Sequence, residues 1–97
     1  MTAFMIFHST ITNQENFVKY ASSVPATLEP FNGYVLAKGK AQKVFSGDNR
    51  HATVGILKFP SLQEAHDWYE SDAYQSLIPV RDSAVDMTVI SYEEPTS

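Results

Sequence analysis

Cysteine is absent from this 97-residue chain, and its absence excludes disulfide bonds, thiolate catalysis and cysteine-ligated zinc or iron–sulfur centres. Glycine and proline are few, at four and five residues, so the chain is not of low complexity. No apolar run approaches the roughly 18 residues of a membrane span, and no basic segment precedes the apolar start, as a signal peptide requires. We therefore expect one cytoplasmic domain over residues 1–97, of which residues 93–97 form a loose tail.

Positive charge is also scarce. Seven lysines and arginines stand against eleven aspartates and glutamates, which gives a net charge of -4 at pH 7. An acidic surface repels phosphate backbones and anionic lipid head groups. We therefore expect neither nucleic acid nor a membrane as a partner.

Four segments are apolar and have the length of strands. They cover residues 3–9, 34–38 with a continuation toward 45, 52–59 and 86–92. Two helical patterns separate them in the order strand, helix, strand, strand, helix, strand. On a chain this short, that order predicts an α+β, ferredoxin-like βαββαβ fold, in which two helices cover one face of a four-stranded antiparallel sheet.

The first helix has recognisable ends. Thr12 and Glu15 have the spacing of a capping box, in which each side chain satisfies an end amide of the helix. Pro25 interrupts the apolar stripe, and because proline has no amide donor we expect a kink or a restart near Ser23. Gly33 is expected to end the helix in a left-handed conformation.

The second helix repeats the pattern. Ser61 and Glu64 form another capping box, and the helix is expected to reach about Glu70. Ser71 can cap a further short turn. Pro79 is expected to stop that turn, because it cannot donate to the preceding carbonyl.

Both faces of the predicted sheet are apolar. In the first strand, Phe4 and Ile6 point one way while Met5 and Phe7 point the other, and the remaining strands alternate similarly. The face without helices therefore carries more apolar area than a monomer usually exposes. A second copy packed sheet to sheet about a two-fold axis would hide it, so we expect a homodimer. The alternative is that one strand is misplaced and one face is polar.

Landmarks along the chain resemble those of the domain of unknown function 1330 family, from about Phe4 to Tyr92. They are Phe17-x-x-Tyr20, Phe31-Asn32-Gly33, Lys38-Gly39-Lys40, Phe59-Pro60-Ser61, Trp68-Tyr69-x-Ser71, Tyr74-Gln75 and Pro79-x-Arg81. The resemblance implies the dimeric α/β-barrel superfamily, in which the sheets of two ferredoxin-like subunits pair back to back. That superfamily includes cofactor-free monooxygenases, isomerases, haem-dependent enzymes and stress-response proteins, whereas the resembled family has no established activity.

Two residues are candidates for catalysis. The guanidinium of Arg81 could hold a carboxylate or a developing oxyanion, and the imidazole of His8 could accept a proton. The alternatives are structural: Arg81 paired with Asp82 or Asp86, and His8 bonded to a carbonyl or facing water at a strand end.

Three aromatic residues of the second helix and its extension, Trp68, Tyr69 and Tyr74, could form a wall on which a flat ligand stacks. The alternative is that they pack in the core, as helically spaced aromatics usually do.

The remaining charged candidates are weaker. His66 and Glu70 have a metal-compatible spacing but no third ligand, and His51 is expected to face solvent in a turn, so neither a metal nor a cofactor is predicted. Three lysines, Lys38, Lys40 and Lys43, alternate with apolar residues and indicate an edge strand protected against aggregation.

The sequence thus favours a dimer that binds a small organic molecule in a cleft between helices and sheet. One alternative is a cofactor-free oxygenase or isomerase acting on an aromatic or carbonyl compound. The other is a structural or regulatory dimer without a pocket. Analogy of fold is a weak guide among them.

Overall fold

The computed structural model describes residues 1–95 and confirms the predicted ferredoxin-like fold. The strands are β1 (Ala3–Ile11), β2 (Tyr34–Lys40), β3 (Thr53–Phe59) and β4 (Val85–Glu93), and the helices are α1 (Gln14–Leu28), α2 (Leu62–Glu70), α3 (Asp72–Gln75) and α4 (Ile78–Ala84). The four strands form one antiparallel sheet in the order β2-β3-β1-β4, so β2 is an edge strand, as predicted. Within residues 1–95, no helix is both long and apolar enough to cross a bilayer.

The start of α1 differs from the prediction by one residue. Asn13, not Thr12, caps the helix, and its side-chain oxygen accepts a hydrogen bond from the Asn16 amide at 3.0 Å. The restart that we gave as one possibility near Ser23 does not occur, because the helix runs through Pro25. Val24 and Leu28 are buried on either side of Pro25, and their packing offsets the one hydrogen bond that the proline lacks.

The turn after α1 reverses the expected roles of two residues. Asn32, at φ 58°, adopts the left-handed conformation that we assigned to Gly33. Gly33 is needed for space instead, because a Cβ atom there would lie 2.5 Å from the ring of Phe59. Phe59 is 1% exposed, so it has little room to yield.

The second helical region follows the predicted caps, and α2 ends at Glu70 as predicted. The hydroxyl of Ser61 accepts from the Glu64 amide at 3.1 Å, and that of Ser71 accepts from the Tyr74 amide at 3.3 Å. Pro79 does not stop the short turn that Ser71 caps, because that turn, α3, already ends at Gln75. Pro79 lies instead in the first turn of α4, a helix that the sequence did not predict, where a missing amide donor costs nothing.

The predicted loose tail is wrong at its first two residues. Glu93 belongs to β4, and the Glu94 amide donates to the Thr2 carbonyl at 2.9 Å. Thr96 and Ser97, which were also part of that prediction, lie outside the described residues.

The two faces of the sheet have different surroundings. On the helix side lies the core, whose most deeply buried members are Ala3, Leu28, Phe59, Ala65, Trp68 and Tyr74. On the other side, Ile6 pairs across β1 with Ile56 of β3 and Ile90 of β4, which makes a row of three isoleucines. No helix among the described residues covers this row, and Ile90 is 38% exposed. The apolar character that we predicted for both faces is therefore present.

Candidate functional site

A cleft of about 820 Å³ lies on the helix side of the sheet, between α1 and strands β2 and β3. Its α1 wall is formed by Phe17, Tyr20, Ala21 and Val24, and its floor by Phe7, Val35, Gly55 and Leu57. Hydroxyl groups of Ser9 and Thr53 add polar atoms to the floor. The volume falls within the range of small-molecule sites, and mostly apolar walls with a few polar groups are typical of them.

The floor of the cleft is open because of a glycine. Gly55 sits in the middle of β3, opposite Phe7 of β1, on the side that faces α1. A Cβ atom added to it would meet no heavy atom within 4 Å. Glycine inside a strand costs stability and often marks the close approach of a ligand or another backbone. Gly55 has ordinary backbone angles, so its effect here is to leave space.

The charged residues that line the cleft are both lysines. Lys38 lies opposite Gly55, and Lys40 opposite Thr53, so both are on the helix side of β2. An irregularity between Val35 and Ala37 shifts the register by one residue and turns them to that side. Both lysines are exposed.

A chain of hydrogen bonds runs beside the cleft. The hydroxyls of Tyr20 and Tyr74 lie 2.8 Å apart, and the guanidinium of Arg81 donates to Tyr74 at 3.1 Å and to Tyr69 at 3.0 Å. Burial raises the pKa of both Tyr20 and Tyr74 above the ordinary tyrosine value. Both phenols therefore stay protonated at neutral pH, which lets them relay hydrogen bonds from Arg81 toward α1.

The aromatic residues predicted to bind a ligand come together around this chain, but they do not line the cleft. Trp68 and Tyr74 are 0% exposed, with ring centroids 4.3 Å apart, so neither is accessible to a ligand in this conformation. They occupy the core position that we gave as the alternative. Tyr69 is half-buried. Together with His66 it lines a smaller hollow of about 250 Å³ between α2 and strands β1 and β4.

The two predicted catalytic residues lie on opposite sides of the sheet. Arg81 of α4 is on the helix side, where Asp82 also accepts from its Nε at 3.2 Å. His8 is on the helix-free side, between Val54 and Thr88 in the register. The structure therefore does not bring His8 and Arg81 together within one chain, and a catalytic role for either stays a prediction.

The other histidines are accounted for by structure. His51 is 7% exposed rather than solvated, because its ring nitrogens contact the Thr10 and Thr88 hydroxyls at 3.0 and 3.4 Å. His66 bonds to the Ser91 hydroxyl at 3.0 Å. Across residues 1–95, no group of three or more acidic or histidine side chains is placed to hold a metal ion.

Sequence reasoning found the cleft's location but not its residues. The available signal was Gly55, a glycine inside a strand that is otherwise β-branched or apolar except at Lys58. The sequence predicted that Lys38 and Lys40 protect an edge strand. The register shift that turns them toward the cleft cannot be recognised from the alternation of apolar and polar residues.

Comparison with known proteins agrees with this architecture. A family model described as a domain of unknown function (DUF1330) matches residues 2–94. None of the curated proteins matches the sequence.

Several solved structures share the fold. A protein of unknown function from Rhodopseudomonas palustris is similar with a TM-score of 0.80 at 17% identity, over 99% of this chain and 84% of that one. The cofactor-independent oxygenase SnoaB from Streptomyces nogalater has a TM-score of 0.70 at 7% identity, over 99% and 95%. A dimeric ferredoxin-like protein of unknown function from Thermobifida fusca has a TM-score of 0.63 at 8% identity, over 95% and 90%. At these identities, the likeness shows the ferredoxin-like fold alone.

Proposed function

We propose, from the premise that the chain belongs to the DUF1330 family, that it binds a small organic molecule in the cleft between α1 and the sheet. The observation that carries the proposal is the space above Gly55, where a side chain would meet nothing within 4 Å. A structural protein gains stability from filling such a space with a β-branched residue. The alternative of a dimer without a pocket does not explain why this position is empty.

The cleft has the properties that a ligand site needs. Its volume of about 820 Å³ would accommodate a molecule the size of a substituted naphthalene or larger, and side chains of α1 and the sheet would enclose both faces of an aromatic ring. The aromatic core beneath α2 is buried, so the cleft walls rest on a packed support.

A matched pair of variants tests the binding function. Gly55→Leu places an isobutyl group in the cleft, whereas Ala26→Leu adds bulk on the exposed outer face of α1. We expect the neutral fluorescent probe N-phenyl-1-naphthylamine to bind wild type and Ala26→Leu with one site per chain, and not to bind Gly55→Leu. Gly55→Leu should keep the wild-type far-ultraviolet circular dichroism. Equal probe binding by all three proteins would refute a ligand site in the cleft.

We also infer that two copies pair through the helix-free face. Its centre is the row Ile56, Ile6 and Ile90, and Phe4 and Tyr92 extend it across the neighbouring pair of positions. Tyr92 is 44% exposed in the single chain. The dimeric relative from Thermobifida fusca supports the inference by its fold. The proposed cytoplasmic location rests on the sequence pattern described above, and the proposed absence of nucleic-acid and membrane partners rests on the acidic composition.

Light scattering on size-exclusion fractions tests the pairing. Ile6→Lys puts a charge at the centre of the proposed interface, while Val18→Lys puts the same charge on α1, where Val18 is already 55% exposed. We expect wild type and Val18→Lys to have twice the chain mass at micromolar concentration, and Ile6→Lys to have the mass of one chain. A wild-type protein of single-chain mass would overturn the inference.

The likeness to SnoaB favours a second candidate, a cofactor-free oxygenase acting on an aromatic compound in the same cleft. His8 and Arg81 do not line the cleft of their own chain, so this candidate needs other residues to position the substrate. Oxygen uptake on addition of phenolic aromatic compounds, compared between wild type and Gly55→Leu, distinguishes the two functions. Uptake that depends on an open cleft supports the oxygenase, and binding without uptake supports the simple ligand-binding function.

A further inference from the structure

The cleft has a charge opposite to that of the whole protein. The chain is acidic, with a net charge of -4, yet the charged residues that line its cleft are Lys38 and Lys40. Neither lysine has an acidic side chain within ion-pair distance among residues 1–95, where the ion pairs involve Arg50, Lys58 and Arg81. Two positive charges without local compensation therefore stand beside an apolar cavity.

The backbone of β2 places these two positive charges close together. Lys38 and Lys40 are two positions apart on one face of β2, which separates their Cα atoms by about 7 Å. Without the register shift after Val35, both would point to the helix-free face. A β-bulge of this kind commonly re-aims side chains next to a binding site.

We propose that the cleft selects apolar molecules that carry one anionic group, such as aromatic or aliphatic carboxylates. The inference rests on the proposed binding function and names its ligand class. The apolar body lies between α1 and the sheet, and the anionic group lies at the β2 side, where the ammonium groups of Lys38 and Lys40 neutralise it. A neutral ligand of the same shape gains only the apolar contacts.

A competing explanation comes from the position of β2 at the sheet edge. Lysines on an edge strand prevent edge-to-edge aggregation, and that role needs positive charge but no neighbouring cavity. Lys43 offers a comparison, because it carries the same charge just beyond β2 but does not line the cleft. Its ammonium lies 5.2 Å from the ring centre of Phe45.

Two fluorescent probes of the same aromatic framework separate these explanations. 8-Anilinonaphthalene-1-sulfonate carries one negative charge, and N-phenyl-1-naphthylamine is the same framework without it. Each would be titrated against wild type, the Lys38→Gln/Lys40→Gln double variant and Lys43→Gln, with Gly55→Leu as the variant that fills the cleft. All four proteins would first be compared by light scattering, so that aggregation is measured separately.

We expect the double variant to raise the Kd of the anionic probe about tenfold, as for one lost charge-assisted hydrogen bond, and to leave the Kd of the neutral probe within twofold. Lys43→Gln should change neither, and Gly55→Leu should abolish both. If the double variant weakens neither probe, or weakens both equally, the anion preference is wrong while the cleft remains a binding site. If wild type binds neither probe, or Gly55→Leu binds both, the proposed cleft function fails and the ligand class fails with it.

Discussion

The layer between the helices and the sheet is largely filled under α2, apart from the small hollow beside Tyr69, and open under α1. Under α2, Trp68, Phe59 and Tyr74 have at most 1% of their surface exposed. Under α1, the floor of the cleft includes Gly55, and its helix wall includes the small side chain of Ala21. Both halves have the same architecture, a helix crossing two strands, so the distribution of side-chain volume and not the fold decides where a ligand can enter.

The two halves also differ in what they contribute. The filled half has dense aromatic packing, in which Trp68 contacts Phe7, Phe59, Tyr69 and Tyr74. The open half gives up apolar contacts that the same strands could make. A chain of 97 residues has a small core, so the stability lost at the cleft has to be offset by the packing under α2.

The largest expected difference between the halves follows from deleting one aromatic side chain in each. Trp68→Ala removes a fully buried ring whose Nε1 donates to the Thr27 hydroxyl at 2.9 Å, and should cost about 3–5 kcal/mol. Phe17→Ala removes a partly buried ring from the cleft wall and should cost about 1–2 kcal/mol, because no closed cavity forms.

Urea unfolding followed by far-ultraviolet circular dichroism measures both changes, since Trp68 is the chain's one tryptophan and its fluorescence is lost with it. Trp68→Phe, with a smaller loss, keeps the comparison measurable if Trp68→Ala does not fold. Protein concentration has to be the same throughout, because a dimer's stability depends on it. Equal losses at positions 68 and 17 would mean that the open half is packed in solution.

A pair of glycines sharpens the comparison with smaller effects of opposite sign. Gly33→Ala would place a methyl group 2.5 Å from the Phe59 ring and should destabilise the protein by about 1–3 kcal/mol. Gly55→Ala meets no atom within 4 Å and should stabilise the protein by about 0.5–1 kcal/mol, since alanine loses less backbone freedom in a strand. Melting temperatures of the two variants check the signs, and a destabilised Gly55→Ala would contradict the open floor.

The fold was more predictable than the cleft for a physical reason. Capping pairs such as Ser61 with Glu64, and the alternation of β1, are local patterns that the structure preserves. The cleft depends on an absence, the missing side chain of Gly55, and on the register shift after Val35. Neither produces a periodic pattern in the sequence, because Gly55 is a single position and the register shift results from how β2 pairs with β3. Pro25 shows the converse, since tertiary packing on both sides of it overrides a strong local signal.

The smallest effect concerns the boundary between the halves, where the Tyr20 hydroxyl of the cleft wall meets the Tyr74 hydroxyl of the filled side. Burial raises the pKa of both phenols in the folded state, while in the unfolded chain they titrate near pH 10. Above about pH 10 the unfolded chain therefore binds fewer protons than the folded one, and stability falls as the pH rises. Each such tyrosine contributes at most about 1.4 kcal/mol per pH unit, and below pH 10 it contributes no pH dependence.

Tyr20→Phe should be less stable than wild type at pH 8, because the Tyr74 hydroxyl loses a partner. This gap in unfolding free energy between the two proteins should narrow between pH 10 and 12. Urea unfolding at several pH values measures the gap, and parallel curves for the two proteins would show that Tyr20 ionises freely in the folded state, which a hydrogen bond at this boundary does not permit.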